Sequence, residues 1–379
     1  MKIAIVRQKF VLYGGAEQFV QGYIHQLAEA GHDIHIFSNH WTASSHSNVH
    51  LHHVRSFKLK SFIRTLSFAW FAAKALEKES FDIIQSHEKT WRQNVYRVGD
   101  GCHKEWLEQR NRIRAKLSEF FLFINPFHQL TLKLEKNLFE SGQCKMFIAN
   151  SQMVKNNILK HYNCPPDNIS VIYNGVDLIR FHPKNKERFR TSVRKELGIP
   201  KNSLLILFVG SGFERKGLKA LLQATQYLCS EEWRMLIIGK GNWKKYLRFA
   251  PKNLRGQIIY RQPVRDIEKY YSAADIFAMP VIYDPIGNTN MEAMASGLSV
   301  ITTRHCGVAD IIKHKKNGLI VENFESTKEI AKNINTLFDI GLRQSIGKNA
   351  RHLVEQFSIE KNTREMLKAY EEVIATQSK

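Results

Sequence analysis

In the stretch YDPIGNTNMEAMASG, residues 283–297, two carboxylates, Asp284 and Glu292, flank a Gly287-Asn288 turn that runs into a helix-period segment. A helix is expected over 288–296 with Asn288 or Thr289 as its N-cap, so that the amides of Thr289, Asn290 and Met291 face a ligand. Amides at a helix N-terminus carry partial positive charge and hold phosphates, whereas ionised carboxylates only accept hydrogen bonds and suit diols. The combination reads as a nucleotide-sugar site. Asp284 is assigned to sugar hydroxyls, Glu292 to ribose hydroxyls, and the turn to the diphosphate between them.

Two further stretches fit that chemistry. VGSGFERKGLKALLQA, residues 209–224, sets Arg215 and Lys216 before Gly217 and an apolar-periodic helix. Fixed cations there can hold a pyrophosphate and stabilise the charge that develops as it leaves, although a lone Arg-Lys pair is also ordinary solvated surface. The phosphate loop G-x-x-x-x-G-K-[ST] is absent. Near the amino end, Gly14-Gly15 follows an apolar run and precedes a helical pattern. Such a pair lets backbone amides approach a phosphate or sugar, or simply makes a tight turn; it is not the G-x-G-x-x-G dinucleotide fingerprint.

Positioning these residues requires a repeating scaffold. Strands are expected at 2–6, 33–38, 49–54, 82–87, 95–100, 145–151 and 169–175, then at 204–210, 234–241, 257–262, 275–280, 298–303 and 318–323. Amphipathic stretches of helical period separate them, which predicts an α/β chain with parallel sheets covered by helices on both faces. A length of 379 residues suits two such domains. The alternation breaks near 173–186, in YNGVDLIRFHPKNKERF, where an Asn-Gly turn, a proline and a charge run place the boundary. Domains are therefore drawn at 1–178 and 179–358, with a final helix in 359–379 crossing back onto the first. In open sheets of this kind, ligands sit beyond the carboxyl ends of the strands.

The net charge of +21 is uneven: 22 Lys/Arg against 15 Asp/Glu in 1–178, 19 against 5 in 179–261, and 15 against 15 in 262–379. Such an excess favours an anionic partner. Nucleic acid is set aside because no binding module is recognisable and the excess lies among donor-type motifs. Residues 55–71, RSFKLKSFIRTLSFAWF, interleave four cations with apolar side chains, a pattern suited to an anionic membrane surface or to ordinary core packing. No apolar run reaches the roughly 20 residues of a membrane span, and no leader is expected from MKIAIVRQKF. Five scattered cysteines without a C-x-x-C pair fit reduced, structural thiols and a cytoplasmic setting. Seven histidines lie between 32 and 53. No metal is expected there, the segment being read as offering no carboxylate or cysteine to complete a ligand set.

Taken together, these stretches resemble the retaining glycosyltransferases of family four, which have the GT-B architecture of two Rossmann-like domains facing a cleft. The likeness rests on DPIGNTNMEAMASGLSVI, where D-x7-E stands for the family's E-x7-E, and on FERKG, YSAADIFAMP, NGVDLIRFHP and the Gly14-Gly15 loop. Asp284 shortens the reach of the first acid. After the fifth strand, VGDGCHKEWLEQR offers Asp100 where the family usually has histidine, with His103 three residues later; either is a candidate contact to the transferred sugar or the acceptor. This wording is most similar to the lipopolysaccharide-core branch.

The resemblance implies transfer of a hexose, most simply glucose, from a UDP-sugar with retention and without metal or other cofactor. The departing phosphate oxygen would take the acceptor's proton, Arg215 and Lys216 would stabilise the diphosphate, and backbone groups around Val264 would hold the base. The implied acceptor is a lipopolysaccharide core or other lipid-linked saccharide, contacted by the first domain. KEWLEQRNRIRAK, residues 104–116, adds a basic stretch for acceptor phosphates. The implied location is peripheral, on the inner face of the cytoplasmic membrane.

Overall fold

The computed structural model describes residues 1–9, 15–41, 46–57, 61–112 and 125–377. Gly14, residues 58–60 of the cationic-apolar stretch and residues 113–116 of the second basic stretch lie outside them. The chain divides into unit 1, Met1–Asn174 with Ile359–Lys379, and unit 2, Gly175–Ser358. The break therefore falls at Asn174/Gly175, within the Asn-Gly turn, rather than after residue 178.

Unit 1 is built on a seven-stranded parallel sheet: β1 Lys2–Val6, β2 Asp33–Ser38, β3 Val49–His53, β4 Ile83–Ser86, β5 Val95–Val98, β6 Met146–Ala149 and β7 Ile169–Val171, in the order β3-β2-β1-β4-β5-β6-β7. Unit 2 carries six parallel strands: β8 Leu204–Val209, β9 Trp233–Ile238, β10 Ile258–Arg261, β11 Ile276–Ala278, β12 Ser299–Thr303 and β13 Leu319–Val321, in the order β10-β9-β8-β11-β12-β13. All thirteen expected strands form: β1 and β2 keep the expected bounds, β9 starts one residue sooner and ends sooner, and the others are trimmed to the residues that pair. Near-continuous apolar runs such as LLILFV are buried because helices cover both faces of the sheet, and Ile206, Leu207 and Phe208 are fully enclosed.

In each order the winding reverses once, between β1 and β4 in unit 1 and between β8 and β11 in unit 2. Loops diverge at such a switch point and leave a crevice at the carboxyl ends of the strands. The loop after β8 bears Arg215 and Lys216, and the loop after β11 bears Asp284 and Gly287. Sequence-distant residues are thereby brought to one end of one sheet.

Helix Ile359–Gln377 belongs to unit 1, with Met366, Ala369, Tyr370 and Val373 in the apolar cluster that also holds Ile24 and Leu27 of helix Gly15–Glu29. The Tyr370 hydroxyl donates to Gln85 Oε1 at 2.7 Å and shares a hydrogen bond with Tyr23. In helix Ser61–Leu76, Phe68, Ala72 and Leu76 pack inward while Trp70 stays exposed with Lys74 over its ring at 3.9 Å. The core-packing reading thus holds for Phe68, while Phe57 and Trp70 of the same stretch remain exposed. No helix among the described residues is long and apolar enough to cross a membrane.

Candidate active site

In unit 2 the structure brings Lys216 and Asp284 into direct contact: Lys216 Nζ donates to Asp284 Oδ2. Asp284 is only 5% exposed. Burial alone would raise its carboxyl, but the charges of Lys216 and Arg215 and the Gly287 amide hold it below the usual carboxylate range. The Arg215 carbonyl accepts from Ile282 N at 2.9 Å, lashing the two loops together beside the pair.

Two glycines make that approach possible. Gly217 has φ +74°, and a Cβ there would lie 1.7 Å from the Pro280 carbonyl oxygen. Gly287 has φ +78°, and its Cβ would lie 2.5 Å from Cys306 Sγ. Only glycine satisfies both the left-handed backbone and the missing space.

Helix Asn288–Ala295 begins where expected and ends one residue sooner. Its N-cap is Gly287 in the left-handed conformation, not Asn288 or Thr289, and no side chain caps it. The Gly287 carbonyl takes the amides of Asn290 (2.8 Å) and Met291 (3.2 Å), so these two do not point at a ligand. The Thr289 amide, in the first turn of the helix, has no hydrogen-bond partner among the described residues. Asn290 is fully buried, its Nδ2 set against Cys306 Sγ at 3.6 Å beneath the turn.

Glu292 is 7% exposed, and its Oε2 accepts from the Tyr271 hydroxyl at 2.8 Å. Burial pushes its carboxyl up to about 7, against the opposing influence of the Tyr271 hydrogen bond and the Arg180 and Lys216 charges. Tyr271 lies in YSAADIFAMP, yet nothing in its spacing to Glu292 marks the pair. Arg180 crosses from the interdomain turn to Glu268 Oε2 (2.9 Å) and the Arg265 carbonyl (2.5 Å), fixing the loop that carries half-buried Val264.

Unit 1 places its candidates differently. Gly15 opens helix Gly15–Glu29 after β1. Asp100 is exposed just beyond β5, and His103 opens helix His103–Arg112. Glu135, fully buried, receives the amides of His103 (2.9 Å) and Lys104 (3.2 Å) and the Tyr162 hydroxyl (2.7 Å), with Lys89 Nζ at 3.5 Å. A buried carboxylate from a distant helix thus caps this helix start, which sequence spacing had not signalled. His103 Nε2 bonds His128 Nδ1 at 3.1 Å, and burial followed by the Lys89 charge lowers its imidazole to about 4. His103 is therefore neutral near pH 7. All five cysteines are free, and all but Cys229 are buried.

One expectation fails outright. Asp33 lies inside the histidine-rich segment, with its carboxylate oxygens 3.3 Å from His35 Nε2 and 2.9 Å from His50 Nε2, so that segment does supply a carboxylate beside its imidazoles. The linear reading missed it because the partners are joined by strand register rather than by sequence spacing.

Comparison with known proteins covers both units. Residues 13–180 match Glycosyltransferase Family 4, and residues 189–353 match Glycosyl transferases group 1. The chain is 23% identical to the lipopolysaccharide glucosyltransferase WaaG of Escherichia coli, over 94% of each. The crystal structure of WaaG, a glycosyltransferase involved in lipopolysaccharide biosynthesis, superposes with a TM-score of 0.84 at 21% identity, over 98% of this chain and 99% of that one. The structure of Anabaena HepE in complex with UDP-glucose gives a TM-score of 0.75 at 17% identity, over 98% and 100%.

Proposed function

The chain belongs to the GT-B glycosyltransferases, a family 4 domain followed by a group 1 domain, and from that premise we propose that it transfers a hexose, most simply glucose, from a UDP-sugar to a lipopolysaccharide-core or other lipid-linked saccharide. The observation that carries the reading is the convergence, at the switch point of unit 2, of a buried Lys216–Asp284 pair, Arg215, an uncapped helix start and the Glu292 carboxyl.

Each group has a task that follows from its chemistry. Lys216, Arg215 and the first-turn amide of Thr289 stabilise negative charge on the departing diphosphate. Asp284 accepts from hydroxyls of the sugar and holds Lys216 in place. Glu292 accepts from the ribose diol, with Gly287 and Asn288 forming the turn against the phosphates, and the loop at Val264 holds the base. Unit 1 supplies acceptor contacts through Gly15, Asp100 and His103. Because His103 is neutral near pH 7, it enters as a hydrogen-bonding group rather than as a cation.

The reaction in this reading retains the anomeric configuration, uses no metal or other cofactor, and passes the acceptor's proton to the leaving phosphate oxygen. The anomeric C–O bond to the diphosphate breaks as the acceptor oxygen bonds the same face. The net charge of +21 and the exposed Trp70 and Phe57 support work at an anionic membrane surface on the cytoplasmic side. A capsular or O-antigen lipid intermediate is the alternative acceptor.

Calorimetric titration with UDP and a series of UDP-sugars, in metal-free buffer, tests the donor assignment. Micromolar UDP binding that is lost in Lys216→Ala and retained with added EDTA is the expected result. Failure of every nucleotide to bind the wild-type chain would overturn it.

A further inference from the structure

At the edge of the unit 1 sheet, β2 and β3 carry Asp33-x-His35 and His50-x-His52. The strands run parallel with His35 beside His50 and Phe37 beside His52. Register partners in a parallel pair project to the same face, and so do residues two apart along one strand. One acid and three imidazoles therefore stand on a single face of the edge strands.

Their geometry is specific. Asp33 Oδ1 lies 2.9 Å from His50 Nε2, and Asp33 Oδ2 lies 3.3 Å from His35 Nε2. The three donor atoms of Asp33, His35 and His50 fall within 4.8 Å of one another. Four-coordinate zinc, with bonds of about 2.0–2.2 Å to nitrogen and oxygen, separates its donors by roughly 3.3 Å. The separation of Asp33 Oδ2 from His35 Nε2 already matches, and the half-exposed His50, beside the other carboxylate oxygen, can complete the set by a small rotation.

The fourth residue sets the proton. His35 is almost enclosed, and its Nδ1 lies 2.8 Å from His52 Nε2, while the His52 ring stacks on Phe37 at 4.4 Å. When the shared proton sits on His35 Nδ1, the lone pair of His35 Nε2 faces Asp33 and His50. A ligating histidine held by its other nitrogen in this way is the usual arrangement around a bound ion. Glu79, the other acid nearby, is engaged by Lys2 Nζ at 2.8 Å, which favours Asp33 as the carboxylate.

We propose that Asp33, His35 and His50 form a binding site for one zinc-class divalent cation, with water as fourth ligand and His52 as the positioning residue. The site stands at the amino end of β2, whereas ligand crevices in such sheets lie at the carboxyl ends. The ion is thus a clamp on the edge strand β3, not part of the transfer chemistry. Asp33 and His50 sit on different strands, so one ion ties the edge to its neighbour.

The test titrates tag-free, chelator-stripped full-length protein with zinc chloride by calorimetry and follows thermal unfolding in parallel. The expected result is one ion per chain, a melting temperature raised by zinc, and affinity weakened at least about tenfold in His50→Ala and in Asp33→Asn. His53→Ala, one residue along on the opposite face of β3, should leave binding unchanged. Both tested side chains are about half exposed, so folding is not at stake. Absence of zinc binding, or binding that survives both substitutions, would overturn the site.

Discussion

Lys216 and Asp284, 68 residues apart in sequence, form a buried ion pair at the carboxyl ends of adjacent strands β8 and β11. Their side chains are 12% and 8% exposed. Each charge is tolerable there because the other is present, and the same lysine is the cation proposed for the diphosphate.

Removing one member should therefore cost far more than removing both. Lys216→Met is expected to lower unfolding stability by about 3–5 kcal/mol by leaving a buried carboxylate alone, and adding Asp284→Asn, also made singly, should recover much of it. Urea denaturation of the two single variants and the double variant gives the coupling directly. Additive losses would show that the pair is not energetically linked.

Glu292 couples the donor site to pH. Its folded value of about 7 lies above the ordinary 4.5, so the folded state binds the proton more tightly. Stability associated with this group is full below about pH 4.5 and is lost as pH rises to about 7, a total of about 3 kcal/mol. Glu292→Gln should flatten the pH dependence of unfolding within that window.

Ligand binding should run the other way. If ionised Glu292 accepts from the ribose, UDP affinity falls about tenfold between pH 8 and pH 6 as the carboxyl takes its proton. Calorimetry across that range, with Glu292→Gln as the pH-insensitive comparison, reads the effect; identical slopes in both proteins would remove Glu292 from the site.

Glycine positions separate strain from crowding. Gly198 and Gly217 both have positive φ, but a Cβ at Gly198 meets nothing within 4 Å while one at Gly217 strikes the Pro280 carbonyl at 1.7 Å. Gly198→Ala should cost about 1–2 kcal/mol, and Gly217→Ala should cost more and abolish UDP binding, because the loops of Lys216 and Asp284 must part.

In unit 1, Glu135→Ala should cost about 3–5 kcal/mol, since it strands Lys89 and two helix amides in a dry interior. Thermal unfolding against the exposed control Glu140→Ala measures it.

The strands were legible in sequence because fully buried parallel strands must be apolar at almost every position, as in LLILFV and IFA. Lys216, Asp284 and Glu292 could be picked out as candidates because their residue types stand beside helix starts, where phosphate and diol chemistry would use them. The contacts among them were not. Asp284 meets Lys216, and Glu292 meets Tyr271, only because the sheet order places β11 beside β8 and one helix over another, which no local spacing encodes. The N-cap fell on Gly287 instead of Asn288 because the tight contact with Cys306 admits no side chain, a tertiary constraint that outweighs capping preference. Glu135 and the Asp33–His35–His50 group were hidden for the same reason, their partners coming from other elements.

Helix Ile359–Gln377 supplies Tyr370 and Met366 to the interior of unit 1, although the whole of unit 2 is synthesised before it. Unit 2 is continuous from Gly175 to Ser358 and can close as soon as it leaves the ribosome, while the earlier-made unit 1 keeps a greasy slot open until residues 359–377 arrive. The unit made first therefore completes its core last, and until then its Tyr23 and Ile24 face lacks the helix that covers it.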